Sequence, residues 1–193
     1  MAVLRTFIAI VLPAEVREAL NRYEHQLGAP ETRYVKWVNP DGIHLTLKFL
    51  GNVEEARLPG LAEALSRAVT GISGFSLQTG VLGAFPSVRN PRVVWLGLDG
   101  DLDALQSLFQ AVEEALSALG FPREGRPFAP HLTLGRVRET ARRGDREELA
   151  RTLADLSVES QFSIMVEEIH VMKSELAPAG ARYTSLYSIP LEK

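Results

Sequence analysis

The sequence contains no cysteine. That removes disulfides, thiol nucleophiles and cysteine-ligated zinc in one step. Histidine is scarce, at four in 193 residues. None of the four falls in an H-x-H or H-E-x-x-H pattern, and no acidic cluster stands beside His44 or His131, so no zinc or two-metal ligand set is visible and neither metal nor cofactor is expected. A G-x-x-x-x-G-K-[ST] loop is also missing, which argues against nucleotide hydrolysis of the P-loop kind. Long apolar runs are absent as well. The one at the N-terminus, Phe7 to Leu12 behind the single Arg5, is too short to span a bilayer and leads into a charged amphipathic stretch. It reads as a buried first strand, in a cytoplasmic protein with no membrane partner. Basic residues are not in excess: 21 Lys and Arg stand against 24 Asp and Glu, a net charge of −3. Coating of long nucleic acid, which relies on many phosphate contacts, is therefore not expected, although a local basic pocket gripping one nucleic-acid end remains compatible.

What is present fits a compact α+β protein. Apolar residues make up 46% and charged residues 23%, near the globular norm. Arg5 to Leu12 is strand-like, and Pro13 suits the first turn of a helix marked by Val16, Leu20, Tyr23 and Leu27, with Gly28 as its C-terminal stop. Tyr34 to Val38 reads as a strand, Asn39-Pro40-Asp41-Gly42 as a turn, and Ile43 to Leu50 as a further strand. Glu54 to Val69 is expected to be helical, and Phe75 to Phe85 extended. The same order then returns: strand Arg92 to Leu98, a helix from Leu102 that ends at Gly120, and a strand from His131. Helix Arg146 to Leu156, strand Phe162 to Met172, a turn around Pro178-Ala179-Gly180 and a last strand Tyr183 to Ile189 complete the chain.

The organising motif is His44-Leu45-Thr46-Leu47, which recurs letter for letter as His131-Leu132-Thr133-Leu134. Side chains alternate faces along a strand, so each copy turns His and Thr to one side and buries two leucines on the other. The separation of 87 positions is shared by Arg5 and Arg92 and by Phe75-Ser76-Leu77 and Phe162-Ser163-Ile164. Three anchors at one offset predict two copies of one unit, spanning about 5–90 and 92–190, within a single bilobal domain. Two such lobes related by a pseudo-two-fold axis would bring His44 and His131 into one cleft. Paired histidines supply one imidazole and one imidazolium near neutrality, the mixture that acid–base chemistry at phosphorus needs. Thr46 and Thr133 could donate to non-bridging phosphate oxygens. Lys48, of the same parity, could add charge at the cleft edge or stand solvated. His25 reads as a surface residue and His170 as a structural one.

The paired H-x-T-x strands resemble the two-histidine (2H) phosphoesterase superfamily. Arg5-Thr6-Phe7-Ile8-Ala9, His44 to Gly51, Arg92 to Leu96 and Arg126 to Arg136 resemble its RNA 2′,3′-cyclic phosphodiesterase branch, historically called 2′-5′ RNA ligase. The resemblance implies two antiparallel sheets lining a V-shaped cleft with helices outside. It also implies metal-independent hydrolysis of an RNA terminal 2′,3′-cyclic phosphate to a 2′-phosphate. By match of position, His44 is the implied proton donor to the leaving 3′-oxygen and His131 the base that activates water. Thr46, Thr133 and Arg136 are the implied phosphate ligands. Simple alternation points Arg136 away from His131, so a bulge would have to turn it inward. The expected partner is an RNA 3′ end bearing a cyclic phosphate, tRNA fragments included, and the expected state is a monomer. The same site run in reverse would join a cyclic end to a 5′-hydroxyl without ATP. A small cyclic nucleotide as substrate, and a non-catalytic RNA-end binding module, are the competing readings. Where the family often has Leu-Tyr-x-Ser, this chain has Val171-Met172-Lys173-Ser174. Phe85, Trp37 and Tyr183 are the aromatic residues that could stack on a base in its place.

Overall fold

A computed structural model describes residues 2–29, 32–156, 161–177 and 180–193. The described elements run β1 (Val3–Val11), α1 (Ala14–Gln26), β2 (Val35–Trp37), β3 (His44–Glu54), α2 (Leu58–Ala68), β4 (Phe75–Ser87), β5 (Asn90–Gly100) and α3 (Leu102–Ala118). They continue with β6 (His131–Val137), α4 (Arg143–Asp155), β7 (Ser163–Val166), β8 (Glu168–Ala177) and β9 (Gly180–Pro190). Single 3₁₀ turns at Pro40–Gly42 and Glu55–Arg57 precede β3 and α2. Pro178 and Ala179, where the last turn is expected, lie outside the described residues.

The strands lie in the order β7-β4-β5-β6-β3-β1-β8-β9, with β2 paired on β6. The two expected sheets are thus continuous, joined where β3 and β6 meet through one pair, Leu45 with Leu132. Those leucines are 87 positions apart, and so are Leu77 and Ile164, which pair between β4 and β7. The Ser76 and Ser163 hydroxyls, again 87 apart, lie 3.1 Å from each other. A residue that pairs with its own counterpart marks a two-fold axis between antiparallel strands. The halves also exchange strands: β4 pairs with β5, and β8 with β1. This exchange explains why the expected strand Phe162 to Met172 is broken at Glu167, where the chain leaves β4 and crosses to β1. The Arg5 and Arg92 anchor slips by one residue. Ala9 pairs with Thr46 whereas Trp95 pairs with Thr133, so Arg5 and Arg92 do not occupy equivalent places.

The central position of β1, between β3 and β8, accounts for its uninterrupted apolar run. Ile8 and Ile10 face the main core with helix residues Leu20, Leu61, Leu108 and Leu149. Phe7 and Ala9 face the other way, into a small cluster with Met172 and Tyr183. Both α1 and α3 stop in Schellman turns. Gly28 and Gly120 hold positive φ, and the next residues, Ala29 and Phe121, donate back to Glu24 and Leu116.

Both motif strands carry a bulge one residue past the threonine. Opposite β1 the register skips Leu47, and opposite β5 it skips Leu134. A bulge adds one residue to one strand and reverses the facing of everything beyond it. Lys48 is accordingly turned away from the cleft and buried. This corrects the expectation of a cleft-edge or solvated lysine. Its ammonium donates to Glu113 on α3 and, over 2.8 Å, to the Pro122 carbonyl, while the other Glu113 oxygen accepts the Glu124 N–H. The pair therefore ties the strand of His44 to the segment that leads toward His131.

Breaking a buried ion pair strands the partner charge, which costs about 3–5 kcal/mol, whereas removing both charges costs much less. Lys48→Met should therefore lose stability of that order in urea unfolding, and the Lys48→Met, Glu113→Leu double variant should recover part of it. A second buried acid gives a pH signature. Glu24 on α1 is buried, its Oε1 without a partner among the described residues, and burial pushes its carboxyl from 4.5 up to about 8. A raised native pKa means the folded state holds the proton more tightly, so the associated stability is complete below about 4.5 and is lost as pH rises through about 8. Melting temperature should fall over that interval in the parent protein, and Glu24→Gln should flatten the fall.

Candidate active site

His44 and His131 open their strands at equivalent places and are held alike. Each ring Nδ1 lies 2.7 Å from the carbonyl oxygen two residues earlier, Gly42 and Ala129 respectively. A carbonyl only accepts, so Nδ1 carries hydrogen in both rings and Nε2 is the nitrogen left to exchange a proton. The antiparallel register through Leu45 and Leu132 sets His44 across from Thr133 and Thr46 across from His131. All four line one cleft of about 370 Å³, within the range of small-ligand sites, about 300–1,000 Å³.

Arg136 lines the same cleft. The bulge at Leu134 puts it on the face of Thr133 instead of the opposite one. The matching bulge at Leu47 does the same for Phe49, 68% exposed and 5.9 Å from the Phe7 ring. Phe49 and Arg136 stand 87 positions apart, so the duplicated scaffold presents an aromatic ring on one side and a guanidinium on the other. Sequence reasoning missed Phe49, although the repeat offset from Arg136 points to it.

The histidines differ in their surroundings. His44 is stacked on Phe7 at 4.6 Å and meets the edge of Tyr183 at 4.9 Å. Burial there lowers its pKa below the ordinary imidazole value, against a smaller opposing effect of the hydrogen bond to Gly42. His131 meets Phe85 edge-on at 5.0 Å, with Trp95 at 6.4 Å. Trp95 lies flat over Gly83, where any Cβ would fall within 2.3 Å of the indole. Two of the three suggested stacking aromatics, Phe85 and Tyr183, are therefore ring neighbours of the histidines. The third, Trp37, packs instead against Gly135 and donates its indole N–H to Thr32. His25 is exposed on α1. His170 is 9% exposed and engaged with Ser185 and Glu168.

Among the described residues no Asp or Glu lines the cleft, whereas Arg5 and Arg136 both do. Neither guanidinium makes a hydrogen bond or ion pair with another described residue. Two imidazoles, two hydroxyls and two guanidiniums, with no opposing carboxylate among the described residues, make a cleft for an anion. Among the described residues no group of three or more His, Asp or Glu side chains comes together as a metal ligand set, and no helix is long and apolar enough to cross a membrane.

A strand-swapped duplication with one histidine and one threonine from each half defines the class of two-histidine phosphoesterases. Within that class the chain belongs to the LigT-like phosphoesterase family, whose sequence model matches it twice, at residues 10–95 and 96–183. The RNA 2′,3′-cyclic phosphodiesterase of Thermotoga maritima is 34% identical over 192 residues, covering 98% of this chain and 96% of that protein. The protein of the same name from Methanothermobacter thermautotrophicus is 32% identical over 182 residues, covering 94% and 96%. The crystal structure of E. coli LigT complexed with 3′-AMP superimposes with a TM-score of 0.77 at 29% identity, covering 100% of both chains.

Proposed function

We propose that the cleft hydrolyses the 2′,3′-cyclic phosphate at RNA 3′ ends to a 2′-phosphate, in the cytoplasm and without a metal. The observation that carries this reading is the pair of Nδ1-anchored histidines sharing one cleft with Thr46, Thr133 and Arg136. Homologues named RNA 2′,3′-cyclic phosphodiesterase support the substrate.

In the proposed reaction a water oxygen attacks phosphorus while His131 Nε2 takes its proton. The bond from phosphorus to the 3′-oxygen breaks, and His44 Nε2–H gives its proton to that oxygen. A 3′-hydroxyl and a 2′-phosphate result, and the two rings have exchanged protonation states, which solvent resets. Thr46, Thr133 and Arg136 donate to the non-bridging oxygens where charge accumulates. The terminal nucleoside lies on the His44 side, over the exposed face of Phe49, which places its 3′-oxygen beside the acid and leaves the His131 side to water. With an RNA 5′-hydroxyl in place of the attacking water, the same steps form a 2′-5′ bond and leave a 3′-hydroxyl.

The test is a short RNA with a 2′,3′-cyclic end, incubated with EDTA, with the product terminus mapped. A 2′-phosphate is expected, with His44→Ala and His131→Ala each slowing turnover about 10²–10⁴-fold. A 3′-phosphate product, or activity that EDTA abolishes, would sink the proposal.

The lowered pKa of His44 gives a further expectation. His44 must be protonated to act as acid, so kcat/KM should fall as pH rises through a value below the ordinary 6.5. A bound phosphodiester anion favours the imidazolium and raises that pKa by about one unit or more. The alkaline limb of kcat should therefore lie at higher pH than that of kcat/KM, and coincident limbs would remove His44 from the acid role.

A further inference from the structure

Of the two free guanidiniums in the cleft, Arg136 follows closely on Thr133, and Arg5 does not adjoin the histidines. Arg5 and Phe7 occupy the same face of β1 as Ala9. Ala9 pairs with Thr46, Phe7 pairs with Phe49, and Arg5 pairs with Asn52. The floor of the cleft thus passes from hydroxyl to aromatic ring to cation. Arg5 is four residues from Ala9, about 13 Å along the strand. Across from it on β8 is Ser174, which also lines the cleft. Arg5 is exposed, and no described residue neutralises it. Its apparent counterpart Arg92, displaced by the one-residue slip, does not line the cleft.

A cation at the far end of a nucleotide-sized cleft, with no partner among the described residues, is placed to receive a second anion. With the cyclic phosphate between the histidines and the nucleoside over Phe49, the next negative group is the phosphate on the 5′-oxygen of that same nucleoside. We propose that Arg5, with the Ser174 hydroxyl, binds that 5′-phosphate, so that the protein distinguishes a nucleotide carrying one from a bare cyclic nucleoside phosphate. This rests on the function proposed above.

The experiment compares three substrates: a 2′,3′-cyclic mononucleotide with a 5′-hydroxyl, the same mononucleotide with a 5′-phosphate, and a short RNA with a cyclic end. Each is turned over by the parent protein, Arg5→Ala and Arg5→Lys, at several salt concentrations. Arg5 is exposed, so its replacement leaves the core intact, and a thermal melt of each variant checks this.

The parent protein should prefer the two 5′-phosphorylated substrates. Arg5→Ala should lower their kcat/KM about tenfold or more, mainly through KM, with less than about threefold effect on the 5′-hydroxyl mononucleotide. Arg5→Lys should restore part of the preference, since a lysine keeps the charge but not the fork. The salt dependence of KM for RNA should weaken in Arg5→Ala by a slope of about 0.7, the value of one single-strand phosphate. Equal use of the two phosphorylated substrates supports the subsite with a nucleotide as sufficient ligand; a further gain for RNA supports it with the chain as ligand. The inference is overturned if the parent protein ignores the 5′-phosphate or if Arg5→Ala slows all three substrates alike. If none of the three is turned over by the parent protein, it is the function proposed above that fails.

Discussion

Everything in this protein depends on one backbone pairing, Leu45 with Leu132. It is the only registered contact between β3 and β6, yet it joins the two halves of the sheet and sets both histidine–threonine motifs against each other. Both leucines are fully buried or nearly so, so apolar burial on the helix side sets the approach of polar groups on the cleft side. Because the pairing lies on the pseudo-two-fold axis, one strand geometry serves twice. A duplicated unit obtains a two-sided site by meeting its copy, with no new side-chain arrangement required.

The symmetry is useful because it is incomplete. The twin bulges at Leu47 and Leu134 are backbone features shared by both halves, but the side chains they redirect differ. Position for position, Lys48 corresponds to Gly135 and Phe49 to Arg136. In one half the residue turned inward is a lysine that braces the approach to His131 through Glu113, Pro122 and Glu124. In the other it is a glycine whose missing side chain admits Trp37 from the approach to His44. Each motif strand thus supports the segment that delivers the opposite histidine. On the cleft side, the aromatic ring and the guanidinium make one flank suited to a nucleoside and the other to phosphate.

The repeat, the buried leucines and the meeting of His44 and His131 in one cleft were legible in the sequence because they follow from strict period-two alternation and a constant offset. What was not legible lies where alternation fails. A bulge adds a residue without leaving a compositional mark, so the facing of Arg136 could be posed as a condition but not resolved, and Lys48 was read with the wrong parity. The partner of Lys48 is 65 positions away on a helix, beyond any local pattern. The break at Glu167 was missed because strand exchange between halves leaves both segments apolar and extended. The Arg5 and Arg92 match shows the converse hazard, an identical letter at the right offset that the pairing register places elsewhere.

The lack of carboxylates among the described residues of the cleft wall bears on how a catalytic cycle closes. The proposed reaction converts a phosphodiester with one negative charge into a monoester that carries up to two near neutrality. A wall holding arginines and an imidazolium attracts the second species more strongly than the first, and none of its described residues repels either. The feature that draws the substrate in therefore retains the product longer, so departure competes with bond cleavage for control of the cycle, and free phosphate becomes a ligand in its own right.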